Sequence, residues 1–441
     1  MSLVSNELDY KSVDVSHGSY QMSKVTPQIP LNSISNAGQE ESIFEIPSKV
    51  INFGKSILSF TATPSVVTTF KWFHADGIPF FRQLQLYTRE GLFLCDIQNC
   101  NYYMKCVNRK SNKISDVQSY DKASADTGYF GGVFCGNSAA AQDTTGQRPD
   151  RTPAKTAFLE PAYCIGGGGN GDATPILNVQ IPLSRVVDSI LGMDKDQYFG
   201  ESVYLRVVWS PATDILWKSS SAADPTGTAV AQFDGTITME NLTLYTAVEQ
   251  NPVIVNALKD KYKSGTLTYN CPFVHMNTVS GLAVTGTNNL SVRYSRPHGS
   301  RLKKIIWSPF NGAAGGVNNL RYDNSNLAAA KVSDYYTMVN NVRTTQFNYE
   351  QTLGNEWLAQ KDRLIGSCIL SSNEFYYNFT HVEDFTGSMS TTHNANLDEG
   401  LLLDEEIKYD IQATAASALR HYIFGITTKT LTLSPSGVTF I

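Results

Sequence analysis

The sequence is short of charge. Asp, Glu, Lys and Arg make up 17% of its 441 residues, against about 25% in an average globular chain. The formal net charge is −5, which excludes a surface that is basic all round and grips nucleic acid by its phosphates. Paired cysteines are missing too. The seven cysteines, at 95, 100, 106, 135, 164, 271 and 368, are odd in number and include no CxxC. That pattern predicts free buried thiols in a protein made in a reducing compartment. Cys95, Cys100 and Cys106 are separated by four and five residues, but no histidine follows to complete a zinc set. No run approaches the ~20 apolar residues of a membrane span. The first twenty residues have neither a basic n-region nor an apolar h-region, so no secretion signal is expected. The sequons at Asn241 and Asn378 lie in apolar segments and make poor glycan sites.

Catalytic signatures are equally scarce. The seven histidines, at 17, 74, 275, 298, 381, 393 and 421, are scattered, and neither HExxH nor GxSxG occurs. The tract Gly166 to Gly171, GGGGNG, lacks the Lys-Ser/Thr of a phosphate loop and reads as a flexible loop tip. His381, Glu383 and Asp384 form the one short cluster with acid–base potential. On a strand His381 and Glu383 share a face and Asp384 points the other way. That arrangement fits half a metal site, but a hydrogen-bonded pair at a strand end is its commoner use. The acidic run Asp404, Glu405 and Glu406 has no histidine nearby and reads as a solvated loop or subunit contact. Tyr376 and Tyr377 suit sugar stacking, yet one of each such pair must face a core. No catalytic, cofactor or metal residue is therefore expected, and no enzyme.

What the chain does have is strand-forming sequence. It carries 22 Tyr and 21 Phe, with many β-branched and aromatic alternations and few helical stripes, so an all-β fold is expected. The length suits two domains of ~200 residues. Residues 1–45 are polar and without periodicity, and they read as an extended arm. The arm has six acids (Glu7, Asp9, Asp14, Glu40, Glu41, Glu45) against two bases (Lys11, Lys24), the wrong sign for holding a genome. Strands begin at Val50. From Asn108 to Asp172 the pattern dissolves, which predicts a decorated insertion between two strands. In ILNVQIPLSRVVDSILG a strand stops at Pro182, and Ser184 is placed to cap a short helix carrying Val187, Ile190 and Leu191.

The best helix signal spans residues 251–263. Asn251 is a good N-cap and Pro252 sits at the first helical position. Ile254, Leu258 and Tyr262 share one face, and Gly265 can end the helix. This connector divides the ordered chain into 46–248 and 249–441, two nearly equal halves. Each offers about seven to nine strands with long insertions at similar places. TLTLS near the end of the second half parallels NLTLY near the end of the first.

Three segments carry a resemblance: GIPFFRQLQLYTREGLFLCDI (Gly77 to Ile97), NVQIPLSRVVDSILG followed by ESVYLRVVWS, and DRLIGSCILSSNEFYYNFTHVEDF (Asp362 to Phe385). Together they resemble the double jelly-roll major capsid proteins of polinton-like viruses and virophages, with adenovirus hexon as a more distant relative. The resemblance covers roughly Val50 to Ile441. It implies two consecutive eight-stranded jelly rolls that assemble as pseudo-hexagonal homotrimers into an icosahedral shell of a double-stranded DNA virus. The implied partners are further copies of the chain, a penton protein and minor capsid or cement proteins, with no direct nucleic-acid contact. The implied location is the virion, after synthesis inside the host cell. A carbohydrate-binding β-sandwich is the alternative, and it calls for a signal peptide and clustered Asp loops that the sequence lacks.

Overall fold

A computed structural model of the chain describes residues 19–38, 40–65, 70–74, 80–111, 125–126, 133–134, 161–165, 177–219, 231–232, 235–280, 287–294, 301–311, 332–339, 341–344, 346–350, 380–385, 401–402, 409–416 and 419–440. Two sets of eight strands carry the architecture. The first set is β1 (Tyr20–Val25), β2 (Glu41–Ile46), β3 (Ile51–Pro64), β4 (Phe81–Thr88), β5 (Phe93–Gln98), β6 (Leu177–Pro182), β7 (Val203–Trp209) and β8 (Ile237–Glu249). The second is β9 (Leu267–Ser280), β10 (Thr287–Tyr294), β11 (Arg301–Asn311), β12 (Val332–Val339), β13 (Val342–Arg343), β14 (His381–Asp384), β15 (Tyr409–Ala416) and β16 (Leu419–Ser434). The first set pairs as β1-β8-β3-β6 and β2-β7-β4-β5, the second as β9-β16-β11-β14 and β10-β15-β12-β13. Counted within its own set, each half orders its strands 1-8-3-6 and 2-7-4-5. Every pairing is antiparallel. This is jelly-roll topology, repeated in one chain.

Alternation explains why these segments take these places. In β7, Val203, Leu205, Val207 and Trp209 are buried, while the residues between them are half-exposed. In β8 the apolar positions Ile237, Met239, Leu242 and Leu244 break parity between Met239 and Leu242. A bulge absorbs the extra residue: the register against β3 shifts between Glu240 and Thr243, and Asn241 takes φ 55°. Asn tolerates that left-handed conformation. Both apolar pairs consequently face inward. Each half also buries one large indole with its N–H satisfied. Trp209 donates to Ser42 Oγ at 2.9 Å, and Trp307 donates to His421 Nδ1 at 3.1 Å.

Short strands in the β3–β4, β5–β6 and β7–β8 connections meet in a separate five-stranded sheet. Its order is Ala231–Gln232, Leu216–Ser219, Phe70–His74, Pro161–Ile165, Val133–Phe134. Connections that follow odd-numbered strands emerge at the same end of an antiparallel roll, so these three can pair there. Two of the strands belong to the insertion expected over Asn108 to Asp172. Most of that stretch, including Gly166 to Gly171, lies outside the described residues.

The connector helix forms where its signals place it. Helix Pro252–Lys263 starts from Asn251, whose side chain accepts the Val253 N–H at 3.0 Å. It ends in a Schellman arrangement: Thr266 N–H reaches Lys261 O and Gly265 N–H reaches Tyr262 O, each at 3.0 Å, with Gly265 at φ 69°. None of its residues is fully buried, and Leu258 and Tyr262 pack half-buried against the core, so Leu258→Asp would cost less than the several kcal/mol of a deep burial.

Two sequence expectations need correction. Residues 19–46 are not an arm. They form β1 and β2, paired with β8 and β7. Ser19 N–H donates to Glu249 Oε1 and the Tyr20 hydroxyl to Asp196 Oδ1, both at 2.8 Å. Three acids assigned to the arm have local partners: Glu40 with Ser35, Glu41 with Arg206 and Glu45 with Gln28. The edge strand YQMSKV looks polar because one of its faces is wet. The short helix after Pro182 is also absent. Leu183–Arg185 make a single 3-10 turn, and Asp188 at φ 53° breaks any continuation.

Gly192 provides a test of this packing. A Cβ there would stand 2.3 Å from the Val186 carbonyl oxygen, whereas at Gly91, φ +85°, it would meet nothing within 4 Å. Gly91→Ala should cost roughly 1–2 kcal/mol from backbone conformation alone. Gly192→Ala should cost clearly more, above about 2 kcal/mol, because backbone must move. Chemical denaturation ranks the two, and a Gly192→Ala protein as stable as the parent would refute the close approach.

Candidate assembly surfaces and the seam between the rolls

The two rolls meet along a seam built from β5 and the helix that follows it, α1 (Cys100–Ser111). Asn99 at φ 48° turns the chain out of β5, and its side chain donates to Met276 Sδ of the second roll at 3.1 Å. Cys100, Tyr103, Met104 and Val107 recur at i, i+3, i+4 and i+7 and are all buried. That spacing is the signal by which this helix could have been found in sequence. Tyr102 stacks on Tyr422 with centroids 4.3 Å apart, and Tyr103 meets Phe424 edge-on at 5.2 Å. The Tyr103 hydroxyl donates toward Val187 O at 3.2 Å and Asp188 Oδ2 at 3.1 Å. Burial and the neighbouring Asp188 hold this phenol well above its usual range.

The seam changes what β16 looks like. Residues 421–427 are all buried. Ile423 and His421 face the interior of the second roll, and Tyr422 and Phe424 face α1. A strand covered on both sides reads as a continuous apolar run, which is what HYIFGIT is. Full burial of a Phe or Tyr contributes about 1.5–3 kcal/mol. A second contact lies lower on the seam. Tyr198 N–H donates to Tyr269 Oη at 3.1 Å, and Tyr269 donates to Asp196 O at 3.2 Å. The rings of Tyr198 and Tyr262 pack edge to face at 5.3 Å.

The one sequence cluster with acid–base potential lies inside the second roll. His381 Nε2 is 3.2 Å from Glu383 Oε2, and His381 Nδ1 is 2.9 Å from the Tyr335 hydroxyl. Thr337 donates to the same Glu383 oxygen at 3.3 Å and also bonds Thr344. With the proton on Nε2, each partner has a complementary role. His381 is 0% exposed, so substrate has no route to it. The strand register sets Asp384 opposite Lys304, three places from the His381–Trp307 pair. Among the described residues no group of three His, Cys, Asp or Glu could hold a metal. Cys95, Cys100, Cys106 and Cys271 are free and buried. Burial holds three of these thiols in the protonated form, with Cys271 pushed up to about 12 and Cys95 and Cys100 also raised. Tyr376, Tyr377 and residues 404–406 lie outside the described residues.

Two tests follow from this geometry. Phe424→Ala should destabilise the chain by about 3–5 kcal/mol. Tyr245→Ala, on the open face of the equivalent strand β8, should leave the monomer's melting nearly unchanged. Similar losses for both would mean that the seam is not packed as described. The second test concerns His421, whose imidazole burial pushes down to about 4 from 6.5. Between those values the unfolded chain binds a proton that the folded chain does not. Stability therefore falls as pH drops from about 7 toward 4, by up to about 3 kcal/mol. His421→Gln keeps an acceptor for Trp307 and removes the titration. Its stability should fall less over that window, and an equal fall would count against a buried neutral His421.

No protein-family model matches the sequence, and no characterised protein matches it by sequence. Solved structures do match. A chain from the cryo-EM structure of the Sputnik virophage aligns at TM-score 0.58 and 11% identity, covering 100% of this chain and 92% of that one. VP54 of PBCV-1, fitted into a reconstruction of Sputnik, aligns at TM-score 0.53 and 8% identity, covering 98% of each. A chain of the PBCV-1 virus capsid aligns at 0.50 and 9%, again over 98% of each. With the strand order 1-8-3-6 and 2-7-4-5 in both halves, these end-to-end matches assign the chain the double jelly-roll fold of viral capsid proteins.

Proposed function

We propose that the chain is a major capsid protein that self-assembles as pseudo-hexagonal trimers into the icosahedral shell of a double-stranded DNA virus, and that it works by association rather than catalysis. One observation carries this reading: a single chain repeats the whole jelly roll twice, locked across an apolar seam. Three such chains present six rolls around a threefold axis, a near-hexagonal outline that tiles a closed surface. The end-to-end likeness to a chain of the PBCV-1 virus capsid supports it. Obligate interfaces of this kind bury about 2,000–5,000 Å², and much of the gross gain offsets lost rigid-body freedom and side-chain ordering. Contacts between trimers are weaker, which lets misplaced units leave. The five-stranded sheet at one end of the first roll lies on the outer surface of the shell. The partners are other copies of the chain, a penton protein and minor or cement proteins, and the location is the virion. The first roll spans 20–249 and the second 266–441, joined by the connector helix.

Light scattering on the purified chain tests the reading. A stable trimer is expected at micromolar concentration, and a monomer at all concentrations would overturn it. Residues 1–18 carry three acids and one base, so the full chain should bind duplex DNA no better than a truncation beginning at residue 19. Tight binding that falls steeply with salt and vanishes on truncation would show that this end holds the genome.

A further inference from the structure

The connector helix Pro252–Lys263 has two unlike faces. Leu258 and Tyr262 pack half-buried against the core. Away from them, Val253, Ala257 and Lys261 stand at i, i+4 and i+8, all exposed, with Val253 51% open. The last two turns carry Lys259, Lys261 and Lys263 against one acid, Asp260. Asp260 lies 3.8 Å from Lys263. Lys259 and Lys261 make no ion pair among the described residues. The helix follows β8, an even-numbered strand, so it stands at the end of the first roll opposite the five-stranded sheet.

The described chain begins beside this helix. One carboxylate oxygen, Glu249 Oε1, accepts both the Ser19 N–H at 2.8 Å and the Asn251 N–H at 2.7 Å. Gln250 N–H in turn donates to Ser19 O at 2.7 Å. Ser19 thus sits against the residue that caps the helix. Because β1 runs antiparallel to β8, the chain traced back from Ser19 leaves in the direction that β8 takes into the helix. Residues 1–18 carry Glu7, Asp9 and Asp14 against one base, Lys11, and Val13 and Val15 flank Asp14. Their charge is opposite to that of the helix. Reach decides the pairing. Extended chain from Ser19 back to Asp14 covers about 16 Å, and the helix rises about 15 Å from Asn251 to Lys261. An extended segment therefore sets Asp14 level with Lys261 and Val15 within about one helical turn of Ala257.

We propose that the face of Val253, Ala257 and Lys261 on the connector helix is the docking surface for residues 1–18 of the same chain, with Asp14 paired to Lys261 and Val15 laid against Ala257. The contact runs along the helix from its N-cap toward its basic end. It covers apolar surface that the rest of the described fold leaves open, and it sets the acids of the segment on lysines that lack a partner. The contact lies within one chain and does not depend on how copies assemble.

Hydrogen exchange on the full-length protein tests this contact, with thermal melting as the folding control. Val15→Asp and Asp14→Lys should each speed exchange of the amides of 255–263 about threefold or more over the parent. The swapped pair Asp14→Lys with Lys261→Asp should bring exchange back toward the parent's rate, which a general loss of stability would not do. Equal exchange in the parent and both single variants overturns the proposal, as does a swapped pair no slower than Asp14→Lys alone. The comparison is repeated on dilution to the monomer. A difference that persists there supports docking within one chain, and one that vanishes assigns the helix to the segment of another copy and overturns it.

Discussion

The stack of Tyr102 on Tyr422, with Tyr103 against Phe424, is the contact on which the rest of the molecule depends. It covers the second face of a sheet whose first face is already committed to the interior of its own roll. Antiparallel sheets normally leave one face to water. Around residues 421–427 of β16 the sheet has no wet face, so the second roll is complete there only when α1 and β5 lie on it. A chain of two independent sandwiches would have kept alternation in β16 as it did in β7. Here the apolar run HYIFGIT records that the rolls share one core across their boundary.

Inside each roll, several buried polar side chains are matched with one another. Trp209 with Ser42 and Trp307 with His421 satisfy two large indoles buried among the described residues. His381, Glu383, Tyr335 and Thr337 form a hydrogen-bonded network in the second roll. An unpaired buried polar group costs about 1–3 kcal/mol, which is why such networks tend to be complete. Residue types that suggest acid–base chemistry in sequence are here buried and engaged with one another. The surface, by contrast, carries little charge and several open apolar positions, a composition suited to contact with other protein.

Repetition of one topology also creates a useful asymmetry. The first roll covers its neighbour in the chain, and its own equivalent face stays open. The five-stranded sheet at one end of the first roll is drawn from three of its connections.

The sequence by itself determined the local elements and the class. The connector helix was legible because its cap, its first-turn proline, its apolar face and its terminal glycine all lie within fifteen residues or so of chain. Strands such as VYLRVVW were legible from alternation, and even the parity break in TITMENLTL carried the later bulge at Asn241. The likeness of the two halves was visible in their lengths and insertions. What only the tertiary structure decided rests on partners distant in sequence. YQMSKV becomes a strand because β8 lies beside it, more than two hundred residues away. Helix α1 matters because the face it covers comes from the far end of the chain. The fate of His381 and Glu383 was set by burial. Such contacts leave no local periodicity, because their energy comes from surfaces that meet only once the chain has folded.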